Sequence, residues 1–179
     1  NIKIRLDANQ GWNAKEAIRV ITKMEDMGLD IELVEQPVKA HDIDGLKYVT
    51  DRVLTPILAD ESVFSPEDAF RVLQIRAADI INIKLMKAGG IYNALKINAM
   101  AESCGVECMI GQMIENSIGT AAASHLAGAK KNITRMDLDA PFLLAQEPVE
   151  GGISFDGPRI ILSEAPGLGI TAVNTLEAL

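Results

Sequence analysis

The chain has 179 residues, of which 48% are apolar and 23% are charged, and its net charge is −8 at pH 7. These values are typical of one soluble globular domain, and the acidic balance argues against nucleic-acid binding, which needs clustered basic residues. No apolar run reaches the roughly 18 residues that predict a membrane span. Two cysteines do not make a disulfide framework and no signal peptide opens the chain, so we expect a cytoplasmic protein.

Six short β-type segments alternate with helical patterns along most of the chain. The predicted strands are Ile2–Leu6, Ile31–Val34, Pro56–Ala59, Ile80–Ile83, Glu107–Ile110 and Ile133–Met136. The predicted helices are Ala14–Met27, Ile43–Arg52, Pro66–Arg76, Gly90–Cys104 and Ser117–Ala129. Successive strand ends lie 24 to 28 residues apart. Six βα periods of nearly constant length predict a parallel sheet with right-handed crossovers.

Two α/β architectures fit this pattern, a doubly wound sheet and a (β/α)8 barrel. A nucleotide-binding doubly wound sheet is expected to carry a glycine-rich phosphate loop after its first strand. The segment DANQGW at 7–12 is not such a loop, which argues against this architecture. Polar residues instead collect at the strand ends, where barrels place their chemistry. The fold class is therefore α/β, an incomplete TIM-type barrel of about six units over residues 1–146. Residues 147–179 are predicted to form a small hairpin followed by a loop, a tail that packs on this barrel.

Three carboxylates terminate consecutive predicted strands. They are Asp7, Glu35 and Asp60. Neighbouring strands lie about 4.8 Å apart, so three converging carboxylates would repel one another unless a cation neutralised them. An all-oxygen ligand set without His or Cys favours Mg²⁺ over zinc. The alternative is that each acid is a solvated strand end or a helix cap.

Lys84 ends the next strand and is the candidate general base. A lysine that is partly desolvated near a divalent cation has a depressed pKa and can accept a proton. The alternative is an interior lysine in a structural ion pair. Lys87 is the nearby competitor, but it lies beyond the strand and before two glycines, which predicts a solvated loop position.

Asp137 and Asp139 follow the last predicted strand and share one side of an extended segment. Such a pair suits a cationic group, for example a substrate ammonium. An ion pair of one of them with Arg135 or Lys131 explains the spacing equally well. Gln112, which follows the fifth strand, is a further candidate for tuning specificity.

Four segments of the chain resemble one known family. They are DANQGW, LVEQP, ILADES and NIKLMKAGG, at positions 7–12, 33–37, 57–62 and 82–90. This set is similar to the enolase superfamily, in its muconate-lactonising-enzyme subgroup. The segment MDLDAP at 136–141 is most like the dipeptide epimerases of the L-Ala-D/L-Glu type.

The resemblance implies an epimerase that removes the proton α to a carboxylate through an enediolate. It implies Asp7, Glu35 and Asp60 as Mg²⁺ ligands and Lys84 as one of two acid/base lysines. Asn9 would support the metal site without binding the metal, and Asp137 with Asp139 would hold the ammonium of a dipeptide. The K-x-K motif that carries the partner lysine in the family is absent. The capping domain is absent too, so we expect an inactive fragment comprising the C-terminal part of the barrel.

Other functions stay open. Muconate cycloisomerase, o-succinylbenzoate synthase and N-acylamino acid racemase share the same proton chemistry, but their substrates gain nothing from an aspartate pair that binds ammonium. A different class of function is a non-catalytic fragment that self-associates, because an open six-stranded sheet exposes two edges. The expected partners are a small-molecule carboxylate substrate such as a dipeptide and a second copy of the chain in a homo-oligomer. Neither nucleic acid nor membrane is expected as a partner.

Overall fold

A computed structural model describes residues 2–174 of the chain. Six strands form one parallel sheet in chain order, so that each strand pairs with the next along the sequence. The strands are β1 (Ile4–Asp7), β2 (Ile31–Glu35), β3 (Ile57–Ala59), β4 (Ile80–Lys84), β5 (Glu107–Gly111) and β6 (Ile133–Met136). The predicted α/β architecture of an incomplete barrel is confirmed.

Helices connect the strands and cover one face of the sheet. They are α1 (Ala14–Asp26), α2 (Ile43–Thr50), α3 (Pro66–Gln74), α4 (Leu85–Ala88), α5 (Ile91–Ser103) and α6 (Ser117–Ala129). Asn13 begins α1 with a reciprocal capping box to Glu16, which satisfies backbone groups that have no partner within the helix. Ser65 begins α3, where its hydroxyl accepts a hydrogen bond from the Asp68 backbone N–H and Pro66 occupies the first helical position. The short helix α4 was not predicted. None of the helices within residues 2–174 is both long and apolar enough to cross a lipid bilayer.

The sheet is curled, and its two faces differ. Arg5 of edge strand β1 donates from Nη1 to the carbonyl oxygen of Met136 on the opposite edge strand β6, at 3.0 Å. The convex face packs its aliphatic side chains against the helices in one large core. The concave face carries a smaller apolar cluster of Leu33, Leu58, Ile80 and Met109. The side chains at the carboxyl ends of the strands lie beyond this cluster.

The C-terminal tail contains two antiparallel strand pairs. The hairpin predicted here exists as β8 (Ile153–Asp156) and β9 (Arg159–Leu162). The loop predicted after it is wrong, because β10 (Ile170–Val173) pairs with β7 (Val149–Gly151). The tail contacts the barrel portion through α6, where Glu147 accepts hydrogen bonds from the Ser117 backbone and hydroxyl. Residues 175–179 of the predicted tail lie outside the described residues.

Candidate active site

The predicted site residues lie at the carboxyl end of the sheet. Asp7 and Glu35 end β1 and β2 and are direct partners in the parallel register. Asp60 follows β3 by one residue, and Lys84 is the last residue of β4. Asp137 follows β6, and its backbone N–H donates to the Ile110 carbonyl at 2.9 Å. The strand geometry thus places these residues at one level, on the face that points away from the helices.

Glu35 is the most perturbed carboxylate of the group. Its side chain is buried, with only 7% of the residue exposed. Burial, followed by repulsion from Asp60 and Asp7, raises the pKa of Glu35 to about 7. The Asn82 hydrogen bond and the Lys84 charge oppose this increase. Three carboxylates on consecutive strands therefore act on one another, and a cation between them would relieve the repulsion.

Lys84 lies beside this group. Its Nζ forms an ion pair with Asp60 Oδ2 at 2.8 Å, and 17% of its side chain is exposed. Burial lowers the pKa of Lys84, but the hydrogen bond and charge of Asp60, together with Glu35 and Glu61, outweigh burial and raise it. The depressed pKa predicted from the sequence presupposed a divalent cation nearby. Direct pairing with Asp60 instead raises the pKa of Lys84.

The prediction that Lys87 is a solvated loop residue is wrong. Helix α4 places the Lys87 side chain in the site, where only 4% of that side chain is exposed. Its ammonium pairs with Asp60 Oδ1 and lies 5.3 Å from the Phe64 ring centroid. Burial lowers the pKa of Lys87, and the charge of Lys84 adds to that effect, while Asp60 opposes it. The i, i+3 spacing of Lys84 and Lys87 puts both side chains on one side of a helix, but it becomes a signal only once the short helix α4 is known.

Two buried amides support the carboxylates, and sequence reasoning assigned neither a role. Asn82 Nδ2 donates to Glu35 Oε1 at 2.8 Å, while its buried Oδ1 has no hydrogen-bond partner among residues 2–174. Gln36 accepts a hydrogen bond from the Asp60 backbone N–H at 2.9 Å and donates to Ser62 at 2.8 Å. Asn82 shares a strand face with Lys84, so side-chain alternation was the available signal. Gln36 has a positive φ of 36°, which no sequence pattern indicated.

The remaining predicted residues flank this centre. The backbone N–H of Asn9 donates to Asp7 Oδ1 at 2.8 Å. Burial and then the neighbouring Asp139 raise the pKa of Asp137, whereas Lys84 and Arg5 lower it. Asp137 is therefore close enough to sense both Asp139 and Lys84. The ion pairs of Arg135 within the described residues go to Glu32 and Glu107, so pairing with Arg135 does not explain either aspartate.

The donor set fits Mg²⁺ in its chemistry. Asp7, Glu35 and Asp60 supply only carboxylate oxygens, the ligands that this cation prefers. Glu35 and Asp60 are buried at neighbouring strand ends and Asp7 is the register partner of Glu35, and this crowding of carboxylates fits a cation. As they stand, residues 2–174 contain no group of three acidic, cysteine or histidine side chains that is close enough to hold a metal. Both carboxylate oxygens of Asp60 face lysines.

This arrangement of fold and site agrees with comparisons to known proteins. The family described as Enolase C-terminal domain-like matches residues 1–175. The chain therefore belongs to the Enolase C-terminal domain-like family. This finding confirms the resemblance seen in the sequence motifs.

Three relatives give the family match more detail. The chain is 61% identical over 176 residues to the L-Ala-D/L-Glu epimerase of Bacillus subtilis, covering 98% of this chain and 48% of that protein. It is 56% identical to the hydrophobic dipeptide epimerase of Enterococcus faecalis, covering 96% and 48%. It is 40% identical to the N-succinyl-L-Arg/Lys racemase of Bacillus cereus, covering 95% and 45%. The chain thus spans about half the length of the curated relatives it matches.

Solved structures of two relatives match the fold closely. A substrate-liganded complex of the Bacillus subtilis epimerase has a TM-score of 0.95 and covers 97% of this chain and 48% of that one. The Enterococcus faecalis dipeptide epimerase, complexed with Mg and the dipeptide L-Leu-L-Tyr, has a TM-score of 0.92 at 55% identity. That match covers 96% of this chain and 48% of the other.

Proposed function

We propose that this chain supplies the C-terminal half of an Mg²⁺-dependent dipeptide epimerase. The enzyme would remove the proton α to a carboxylate and return a proton to the opposite face. The observation that carries the proposal is the Lys84–Asp60 pair at 2.8 Å beside the buried Glu35. A proton-transfer group and a crowded carboxylate cluster therefore meet at one end of the sheet. Relatives at 56% and 61% identity that are dipeptide epimerases support the choice of reaction.

Asp7, Glu35 and Asp60 would hold the Mg²⁺ ion, with Asn9 and Asn82 orienting two of these ligands. When bound, the cation offsets the negative charge that develops on the substrate carboxylate as its α-proton leaves. Asn9 acts through its backbone N–H on Asp7, and Asn82 acts through its amide on Glu35. Such supporting partners keep ligand oxygens pointed at the metal.

The neutral amine of Lys84 would take the α-proton at Nζ, and the ammonium so formed would return a proton in the reverse direction. Its position at a strand end, with the side chain mostly buried, fixes the ammonium and excludes much of the water around it. A second lysine on the other face of the α-carbon would come from the half of the protein outside this chain. We therefore expect the isolated chain to be unable to epimerise.

Asp137 and Asp139 would bind the α-ammonium of the dipeptide. Their mutual repulsion contributes to the raised pKa of Asp137, and a bound ammonium would relieve it. Residues 1–146 would form the barrel part of this half and 147–179 the tail that packs on it. The second candidate function is racemisation of an N-succinyl amino acid, which the 40% identity to such a racemase favours. That substrate carries no free α-ammonium.

The test is proton exchange in D2O by the full-length protein, followed by NMR, with L-Ala-L-Glu and an N-succinyl amino acid as substrates. The proposal predicts exchange and epimerisation of the dipeptide, with epimerisation lost in Lys84→Ala, where the partner lysine can still exchange the α-proton of the epimer that faces it. Faster turnover of the N-succinyl substrate would favour the second candidate. If Lys84→Ala retains full activity, the assigned base is wrong.

We also propose self-association of this chain through its open sheet edges. Edge strands β1 and β6 expose Ile4 and Met136, each at least 50%, and Phe142 follows at 66%. Light scattering across a concentration series tests this proposal. A rising mean mass is expected, and a constant monomer mass would contradict it.

A further inference from the structure

Gln112 connects the end of β5 to the segment that carries the proposed ammonium-binding aspartates. Its amide satisfies its neighbours in one orientation, with the oxygen facing residues 139–140. In that orientation Oε1 accepts hydrogen bonds from the backbone N–H of Asp139 at 2.9 Å and of Ala140 at 2.5 Å. Nε2 donates to the Thr120 hydroxyl at 2.9 Å. All the polar atoms of this side chain therefore have partners.

The other end of this hydrogen-bond chain is Thr120, a buried residue of helix α6. Thr120 is fully buried, and its hydroxyl donates to the Asn116 carbonyl at 3.3 Å. The hydroxyl lone pairs remain free to accept from Gln112. The amide is thus fixed by a helix residue that cannot move without disturbing the core. The backbone that is hydrogen-bonded to Gln112 Oε1 is therefore also held in a fixed position.

What Gln112 holds is the backbone directly at Asp139. Leu138 and Ala140 are buried on either side of it, whereas Asp139 itself is exposed. A short 3-10 helix, Ala140–Leu143, begins at this point, and Asp139 precedes it without any side-chain cap hydrogen bond. Within residues 2–174 the Asp139 carboxylate caps no helix and can face a ligand, while its backbone is held by an amide from another strand end.

We propose that Gln112 is a positioning residue for ammonium recognition, acting through the backbone of Asp139. The inference rests on the proposed dipeptide function, since it assigns Asp139 to the ammonium. Hydrogen bonds to a charged group depend steeply on distance and angle, so a small shift of the 139–140 backbone weakens recognition. Gln112 would thereby help the site to prefer substrates with a free α-ammonium over N-acylated ones.

The first test measures backbone hydrogen exchange in the full chain by NMR. Gln112→Met removes the acceptor at similar length, and the amides of Asp139 and Ala140 should then exchange at least tenfold faster. The Asp137 amide, which donates to Ile110, is the internal control and should not change. Thr120→Val, which removes the anchor of the amide, should act in the same direction more weakly and replaces Gln112→Met if that variant does not fold. Unchanged exchange at residues 139 and 140 overturns the proposal.

The second test compares two substrates in the full-length enzyme, L-Ala-L-Glu and its N-acetyl derivative. Gln112→Met should reduce the preference for the free dipeptide about tenfold, mainly through KM, because misplacement of a binding group by about 1 Å is costly. Asp139→Asn is the reference and should reduce it at least as much. If Asp139→Asn lowers the preference and Gln112→Met does not, Gln112 has no positioning role. If Asp139→Asn has no effect, the ammonium assignment fails and the inference fails with it.

Discussion

The two ends of the concave sheet face carry charged residues of both signs, yet they are organised in opposite ways. Toward the amino ends of the strands, Glu32 accepts from Arg5 at 2.8 Å and pairs with Arg135 at 3.4 Å. Arg135 also pairs with Glu107. The negative charges of two glutamates are thus balanced by the positive charges of two arginines. The Arg5 hydrogen bond, with the charges of both arginines, lowers the pKa of Glu32 although burial opposes it.

At the carboxyl ends, Asp7, Glu35 and Asp60 face two lysines, and the charges do not match. The pKa of Glu35 is raised by burial and by its acidic neighbours, and the pKa of Lys87 is lowered by burial. The buried amide oxygen of Asn82 has no partner within the part of the chain that the structure describes. The amino end has the pattern of a structural network. The carboxyl end has the pattern of a site that is completed by something outside the chain.

The largest expected difference between the ends is in catalysis. Lys84→Ala in the full-length protein should reduce epimerisation about 10²- to 10⁴-fold, the range for loss of a general acid or base. Lys3→Ala is the matched control, because Lys3 lies on β1's amino-terminal side and pairs with Asp30 on the surface. That variant should keep wild-type rates. A similar loss in both variants would remove the functional distinction between the ends.

The second prediction concerns stability against pH. The folded pKa of Glu35 is about 7 against an ordinary value of 4.5, so the folded state binds the extra proton between these pH values. Stability therefore falls as pH rises through this window, by about 3 kcal/mol in full. In metal-free buffer, Glu35→Gln should abolish this fall and be more stable than wild type at pH 8. Urea unfolding at pH 4.5 and 8 measures it, and a wild-type profile without the fall contradicts the pKa assignment.

A smaller effect is expected for the amide that supports Glu35. Asn82→Leu should weaken Mg²⁺ binding about 10- to 100-fold, as is usual for partners of metal ligands. Asn98→Leu is a matched control, since Asn98 is also a buried asparagine whose Oδ1 lacks a partner among the described residues, but it lies on α5. Calorimetric titration should show that the Mg²⁺ affinity of the Asn98→Leu variant is unchanged. Equal losses in both variants would indicate a general folding effect.

The smallest effect is expected at the amino end. Glu32→Gln should cost about 1 kcal/mol at pH 7, because partly exposed ion pairs contribute little. The lowered pKa of Glu32 means that its stabilisation exists above the ordinary carboxyl pKa and is lost as pH falls. The pH dependence is therefore opposite in sign to that of Glu35. Urea unfolding at pH 7 and pH 3 tests this, and an equal cost at both pH values would be the contrary result.

The order of strands and helices could be predicted from the sequence because it depends on local patterns. The six strands and five long helices were predicted with ends within about two residues, since apolar periodicity, the Asn13 cap and Pro66 are all local signals. The strand-end residues followed from alternation and repeat phase. Their individual contacts did not follow in the same way.

What could not be predicted depends on contacts between elements distant in sequence. Lys87 was misplaced because a four-residue helix carries little periodic signal, yet that helix determines its burial. The tail strand β10 was missed because its partner β7 lies about twenty residues earlier. Gln36 and Gln112 act through backbone groups of other strand ends, which a pattern along one segment cannot reveal.

Calorimetric titration of this chain with Mg²⁺ tests the central claim most directly, with Glu35→Gln and Glu32→Gln as a pair of variants from the two ends. Saturable binding at one site should occur in wild type, be lost in Glu35→Gln and persist in Glu32→Gln. The contrary result is an absence of saturable binding, or binding that survives Glu35→Gln. Either would mean that the carboxylates at the strand ends do not form the metal site.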